Sequence, residues 1–194
     1  MPTSPSSADA SDRTLDWKPT GSQAIALQVA GVLVSVAGFA GYGLLAAIRY
    51  GAGAEFSVDA PALLLGTLYT VAVLAILILL HEGIHGLAML AFGIRPTFGV
   101  GVAGGVLPYA YATAVGVRFE RRTYLVVAFA PTVVVNLLGA AVVWWGPWGG
   151  WLAFAAALHL GGCVGDWALA GVALRQPLGS RFEDLKDGIR VHLP

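Results

Sequence analysis

Two histidines one helical turn apart, with a glutamate beside the first, are the residues of this chain best suited to chemistry: His81-Glu82-Gly83-Ile84-His85. On a helix that spacing puts both imidazoles on one face, where they can bind a single Zn²⁺. The glutamate between them is not a ligand. It can act as a base toward a water molecule that the metal activates. The surrounding run, Leu74 to Ala91 (LAILILLHEGIHGLAMLA), is otherwise apolar. Ionisable groups are costly inside such a run, and their presence there asks for a functional reason.

A catalytic zinc usually has three protein ligands and one open position. The third must come from elsewhere in the chain. Asp166 is, apart from Glu82, the only acid within any apolar segment. Counted from the ends of their segments at about 1.5 Å per residue, Asp166 lies between His81 and His85 in depth, and His159 lies roughly 6 Å beyond His81. Asp166 is therefore the expected third ligand. His159 reads better as a packing residue or one that supports a ligand from behind. Cys163 is the only cysteine; it can face the site, but a small packing residue is the simpler reading. Asn136 can bond a substrate backbone or a neighbouring helix, and the helix is favoured. Pro131 frees a backbone carbonyl near the depth of the metal motif. Gly83 and Gly86 leave the motif helix thin, for a substrate or for close helix packing.

The elements that must position these residues follow from composition. Of 194 residues, 57% are hydrophobic and 11% charged, against about 25% charged in an ordinary soluble domain. This is the balance of a polytopic membrane protein with the lipid bilayer as its surroundings. The formal net charge of zero gives no electrostatic case for nucleic acid. With one cysteine there is no intrachain disulfide. Residues 1–24 are polar, lack the features of a cleaved signal, and read as a retained, mostly disordered tail. Four spans are expected at about 25–48, 61–92, 124–145 and 151–174, within one membrane domain over 25–174. Gly31, Gly38, Gly41 and Gly43 suit the first span to close packing. Pro61 suits the first turn of the second, and Gly93 its end. Residues 50–60 read as a short polar loop, and Gly146–Gly150 as a tight turn with interface tryptophans. Residues 175–194 read as a polar tail in water.

Between the second and third spans the period changes to two. Tyr109, Tyr111, Thr113, Val115 and Val117 alternate with small residues, and Phe98, Val100 and Val102 alternate with glycines. The expectation is a β-hairpin linked by Gly104-Gly105. A flat, small-residue face is expected, either packed on the bundle or offering an edge to which an extended peptide adds as a strand. The fold class is thus all-α transmembrane: a four-helix polytopic bundle with a β-hairpin between helices 2 and 3. Arg49 is the one basic residue of 11 outside the two tails and the hairpin segment. The positive-inside rule therefore places both termini in the cytoplasm of a multi-pass cell-membrane protein.

Taken together, His81–Gly86, the hairpin-like segment, Phe129-Ala130-Pro131 and Gly165-Asp166 resemble the family named Putative zincin peptidase, small integral membrane proteins. The closing Glu183-Asp184-Leu185-Lys186-Asp187 looks similar too. The wider resemblance is to site-2 proteases, which cut substrates within the bilayer. There the third ligand is an aspartate on a later span, often in Leu-Asp-Gly; here it stands in Gly165-Asp166-Trp167. The expectation is a zinc-dependent intramembrane peptidase, with His81, His85 and Asp166 as ligands and Glu82 as base. Its substrate would be a membrane-spanning protein or peptide. The competing classes are a non-catalytic zinc-binding scaffold or sensor and, less favoured, a metal-ion transporter.

Overall fold

In a computed structural model the chain runs β1 (Thr14–Trp17), α1 (Gly21–Tyr50), α2 (Ala60–Ala91), β2 (Thr97–Ala103), β3 (Leu107–Thr113), β4 (Phe119–Glu120), α3 (Arg121–Trp145), α4 (Gly149–Gly162), α5 (Val164–Arg175), β5 (Arg181–Leu185) and β6 (Gly188–His192). The structure describes residues 13–51, 59–103, 107–146, 149–185 and 188–194. The Gly104-Gly105 link, most of the 50–60 loop, part of the turn at Gly146–Gly150, and Lys186-Asp187 fall outside them.

Among the described residues, four helical segments are long and apolar enough to cross a membrane: Gly21–Tyr50, Ala60–Ala91, Arg121–Trp145 and Trp151–Arg175. Their outward faces carry exposed large hydrophobics such as Leu33, Leu65, Ile76, Leu79 and Leu137. Such a continuous apolar surface is stable against lipid and not against water. The chain is a multi-pass membrane bundle, as composition implied.

Local chemistry sets the helix ends. Thr20 and Gln23 form a reciprocal capping box at the start of α1. Asp59 caps α2, its carboxylate accepting from Ala62 N at 2.7 Å, with proline in the first turn. The C-terminus of α2 closes by bonds from Gly93 N to Leu90 O and from Ile94 N to Met89 O, the Schellman arrangement. Gly93 takes φ +74° there, a conformation that disfavours any side chain. Gly31 and Gly38 let α1 approach α4 at Gly161 and Ala157, whereas Gly41 and Gly43 face open space. Asn136 bonds helices: its Oδ1 accepts from Tyr42 Oη at 2.8 Å and its Nδ2 donates to Thr132 O at 2.7 Å.

The expected hairpin is present as an antiparallel β2–β3 pair, with Gly99 opposite Tyr111 and Gly101 opposite Tyr109. Its faces differ from expectation. The alanines of β3 stand opposite Phe98 and Val100, and the tyrosines lie over the glycines of β2. No all-small flat face results, because the period-two pattern of one strand is filled by the complementary pattern of the other.

Three further features depart from the sequence reading. The fourth span is divided by a one-residue turn at Cys163, so α4 and α5 are separate helices. Residues 14–17 are a strand rather than part of a disordered tail, and residues 181–185 and 188–192, within the polar C-terminal tail, are strands that the sequence reading did not anticipate. They join β4 in one antiparallel sheet, in the order β1-β6-β5-β4. The physical reason is alternation too short to dominate composition. Phe182, Ile189 and Val191 are fully buried and pack with Phe119, Tyr124 and Met89. Each such side chain contributes roughly 1.5–3 kcal/mol, enough to dock short strands whose outward residues are charged. Asp16 and Arg190 make a two-pronged ion pair across β1 and β6, at 2.7 and 2.8 Å. The sheet gathers the N-terminal segment, the segment before α3 and the C-terminal segment, so all three lie at one end of the bundle.

Candidate metal centre

His81, Glu82 and His85 lie on α2, and Asp166 lies in the first turn of α5. The one-turn spacing of the histidines and the reach of the Asp166 side chain from α5 bring three ligand side chains together. His81 Nε2 and His85 Nε2 are 3.1 Å apart. Asp166 Oδ2 is 3.2 Å from His81 Nε2, and Asp166 Oδ1 is 3.7 Å from His85 Nε2. Zinc holds nitrogen and oxygen ligands at about 2.0–2.2 Å in a tetrahedral array, which sets neighbouring ligand atoms about 3.3–3.6 Å apart. The three separations bracket that range, so this donor set fits a zinc ion.

The second ring nitrogens are also engaged. His85 Nδ1 lies 2.8 Å from the carbonyl oxygen of Val127. A carbonyl only accepts, so this nitrogen carries the proton, and in the neutral ring His85 Nε2 presents its lone pair toward Asp166 and His81. His81 Nδ1 lies 3.1 Å from His159 Nε2. His159 is buried and its Nδ1 lies 3.9 Å from Cys163 Sγ. His81, His159 and Cys163 make a second group of metal-binding types that shares His81 with the first. The simpler arrangement is His159 supporting His81 from behind, as its depth implied.

Glu82 points toward the hairpin. Its Oε2 accepts a 2.7 Å bond from the backbone N–H of Ala112 on β3. In the β2–β3 register Ala112 faces Phe98. Its N–H is spent on Glu82, so this side of β3 is the hairpin edge turned to the site. The hairpin is seated by Phe98, whose ring occupies the space that a side chain at Gly86 would need. Gly86 thus serves packing, while Gly83 faces open space.

A cavity of about 610 Å³ adjoins the centre. Glu82, His85 and Asp166 line it from the helices, Tyr111, Ala112 and Thr113 from the hairpin edge, and Trp17, Asp184 and Leu185 from the four-stranded sheet. It therefore lies at the sheet end of the bundle. Asp184 faces it too, and burial pushes its carboxyl up to about 6, opposed by the Tyr124 hydroxyl that favours its charged form.

The structure thus brings His81, His85 and Asp166 into one cluster, with Glu82 on the adjoining cavity wall. Sequence reasoning missed the Ala112 N–H, Trp17 and the place of Asp184 beside the site. The Val127 carbonyl is the one Pro131, four positions on, was expected to free, and the structure sets it against His85.

The arrangement is that of a membrane bundle with a histidine–carboxylate centre open to one end. The chain belongs to the family named Putative zincin peptidase, whose description matches residues 74–180. That stretch contains the histidine motif, the hairpin, Pro131 and Asp166, but not the strands β5 and β6. Membership supports a metallopeptidase with zinc as its cofactor. Searches of the curated proteins and of the solved structures gave no match.

Proposed function

We propose that this protein is a zinc-dependent intramembrane peptidase. His81, His85 and Asp166 hold the ion, and Glu82 is the general base. The observation that carries the reading is the convergence of three ligand side chains, with contacts at 3.1, 3.2 and 3.7 Å, beside a carboxylate-lined cavity. Zinc, when bound, polarises the scissile carbonyl and acidifies water. Glu82 takes the proton of the attacking water and passes it to the leaving amine, so that water adds across the broken C–N bond. Two carboxylates, Asp166 and Glu82, balance a divalent ion, which suits a site set among apolar helices.

The substrate class is a membrane-spanning protein or peptide. A helix offers no free carbonyl to attack, so the segment must be locally unwound. The β3 edge beside Glu82 supplies a place for such a segment to add as a strand. The positive-inside rule makes the sheet end cytoplasmic, and water enters the cavity from there.

The test is Glu82→Gln in the full-length protein, purified in detergent, with quenched fluorescent transmembrane peptides as probes. The variant should keep one zinc per chain and lose about 10²–10⁴-fold in turnover. Equal processing by both proteins overturns the peptidase reading. Zinc bound without cleavage by either protein favours a scaffold or sensor, and zinc flux into proteoliposomes favours a transporter.

A further inference from the structure

The Val127 carbonyl that meets His85 Nδ1 belongs to a helix, and a helical carbonyl is ordinarily engaged by the N–H four residues on. Here the residue four positions on is Pro131, inside α3, fully buried and without an N–H. The carbonyl is left for His85, at 2.8 Å. We propose that Pro131 is a positioning residue for the metal centre: by withholding a hydrogen bond from Val127 it fixes the tautomer and orientation of His85. This inference rests on the reading of His85 as a ligand and assigns a residue that does not touch the metal.

Neutral imidazole has one N–H and one lone pair, and only the lone pair can bind a metal. A carbonyl beside Nδ1 forces the proton onto that nitrogen and directs the Nε2 lone pair into the cluster. The acceptor's type matters as well. Buried histidine ligands are often backed by a carboxylate. A carboxylate behind His85 would add a negative charge to a site where Asp166 and Glu82 already supply two. A backbone carbonyl orients the ring with no added charge. His81 differs, since its partner His159 Nε2 is able to donate or accept. The one-way constraint falls on His85 alone.

In Pro131→Ala the restored N–H draws the Val127 carbonyl back along the helix axis and shares its lone pairs. Removing a partner behind a metal-bound histidine typically weakens metal affinity about 10–100-fold. The helix itself should gain, because proline is the poorest helix former. The two effects have opposite signs, and that separates positioning from packing.

The experiment uses the full-length protein in detergent. Zinc affinity is measured by chelator competition for wild type, Pro131→Ala and His85→Ala. The tautomer of His85 is read from its ¹⁵N shifts in the metal-free wild type and in Pro131→Ala. The expected results are an Nδ1–H tautomer in wild type, a mixed population in Pro131→Ala, and a zinc Kd raised at least about tenfold in that variant, with the metal-free melting midpoint equal or higher. Two outcomes overturn the proposal: zinc binding by Pro131→Ala as tight as wild type, or a wild-type His85 protonated on Nε2. The second can be read even if Pro131→Ala does not fold. Failure of the underlying ligand assignment looks different, because His85→Ala would then bind zinc as tightly as wild type.

Discussion

Asp166 Oδ2 lies 3.2 Å from His81 Nε2, an approach between the first turn of α5 and the C-terminal third of the motif helix α2. His81 also meets His159 on its other ring nitrogen, so two neighbourhoods compete for it. If the ion sits between His81, His85 and Asp166, Asp166→Ala removes a ligand and should raise the zinc Kd by more than about 100-fold, beyond what loss of a supporting partner costs. His159→Ala should cost about tenfold, and Cys163→Ser should change little. Chelator competition on the three purified variants checks the order. A larger loss in Cys163→Ser than in Asp166→Ala would move the ion to the other neighbourhood.

The Glu82 carboxylate and the Ala112 N–H meet at 2.7 Å, tying the base to the hairpin edge. Proline at position 112 removes that donor and also blocks strand addition at the same edge. Ala112→Pro should therefore keep stoichiometric zinc and lose turnover on transmembrane peptides by at least about tenfold, within the range for impaired acid–base catalysis. Zinc content and initial rates measured on the same preparation test this. Unchanged turnover would remove the β3 edge from substrate binding.

How much of this was readable beforehand depended on where each signal sits. The motif, the four spans, the period-two hairpin and the helix end at Gly93 are local patterns. Asp166 was reachable because helix rise converts residue number into depth. The Ala112 N–H was not reachable, since a backbone donor carries no side-chain signature and its aim depends on hairpin register. The four-stranded sheet was missed for another reason. Its strands come from three distant segments, and only their pairing buries Phe182, Ile189 and Val191. The charges of Glu183, Asp184 and Arg190 dominated the composition there.

Asp184 makes stability depend on pH in an unusual direction. Its carboxyl is pushed by burial from 3.8 to about 6. Between those values the folded state holds a proton that the unfolded state has released. This contribution is therefore complete below about pH 4 and is lost as pH rises through about 6. Its size is on the order of 3 kcal/mol. An asparagine side chain imitates the protonated form, so Asp184→Asn should match wild type near pH 4 and exceed it near pH 7 in the metal-free protein. Melting midpoints of the two proteins across this range check it. A constant difference at all pH values would show that Asp184 does not titrate there.

The sheet order β1-β6-β5-β4 has a consequence for membrane orientation. It holds the N-terminal strand, the segment before α3 and the C-terminal hairpin at one end of the bundle, while Arg49 stands near the end of α1, away from the sheet strands. With the basic residues concentrated at the sheet end, that end should face the cytoplasm. Cysteines can report this, because the native Cys163 is fully buried and should not react. Leu178 is 85% exposed between α5 and β5. Leu178→Cys should be labelled by a membrane-impermeant maleimide in inverted vesicles and protected in intact cells. Arg49→Cys should give the opposite pattern. Labelling of both from the same face would contradict the four-span topology, and exchange of the two patterns would reverse the side from which water reaches the cavity.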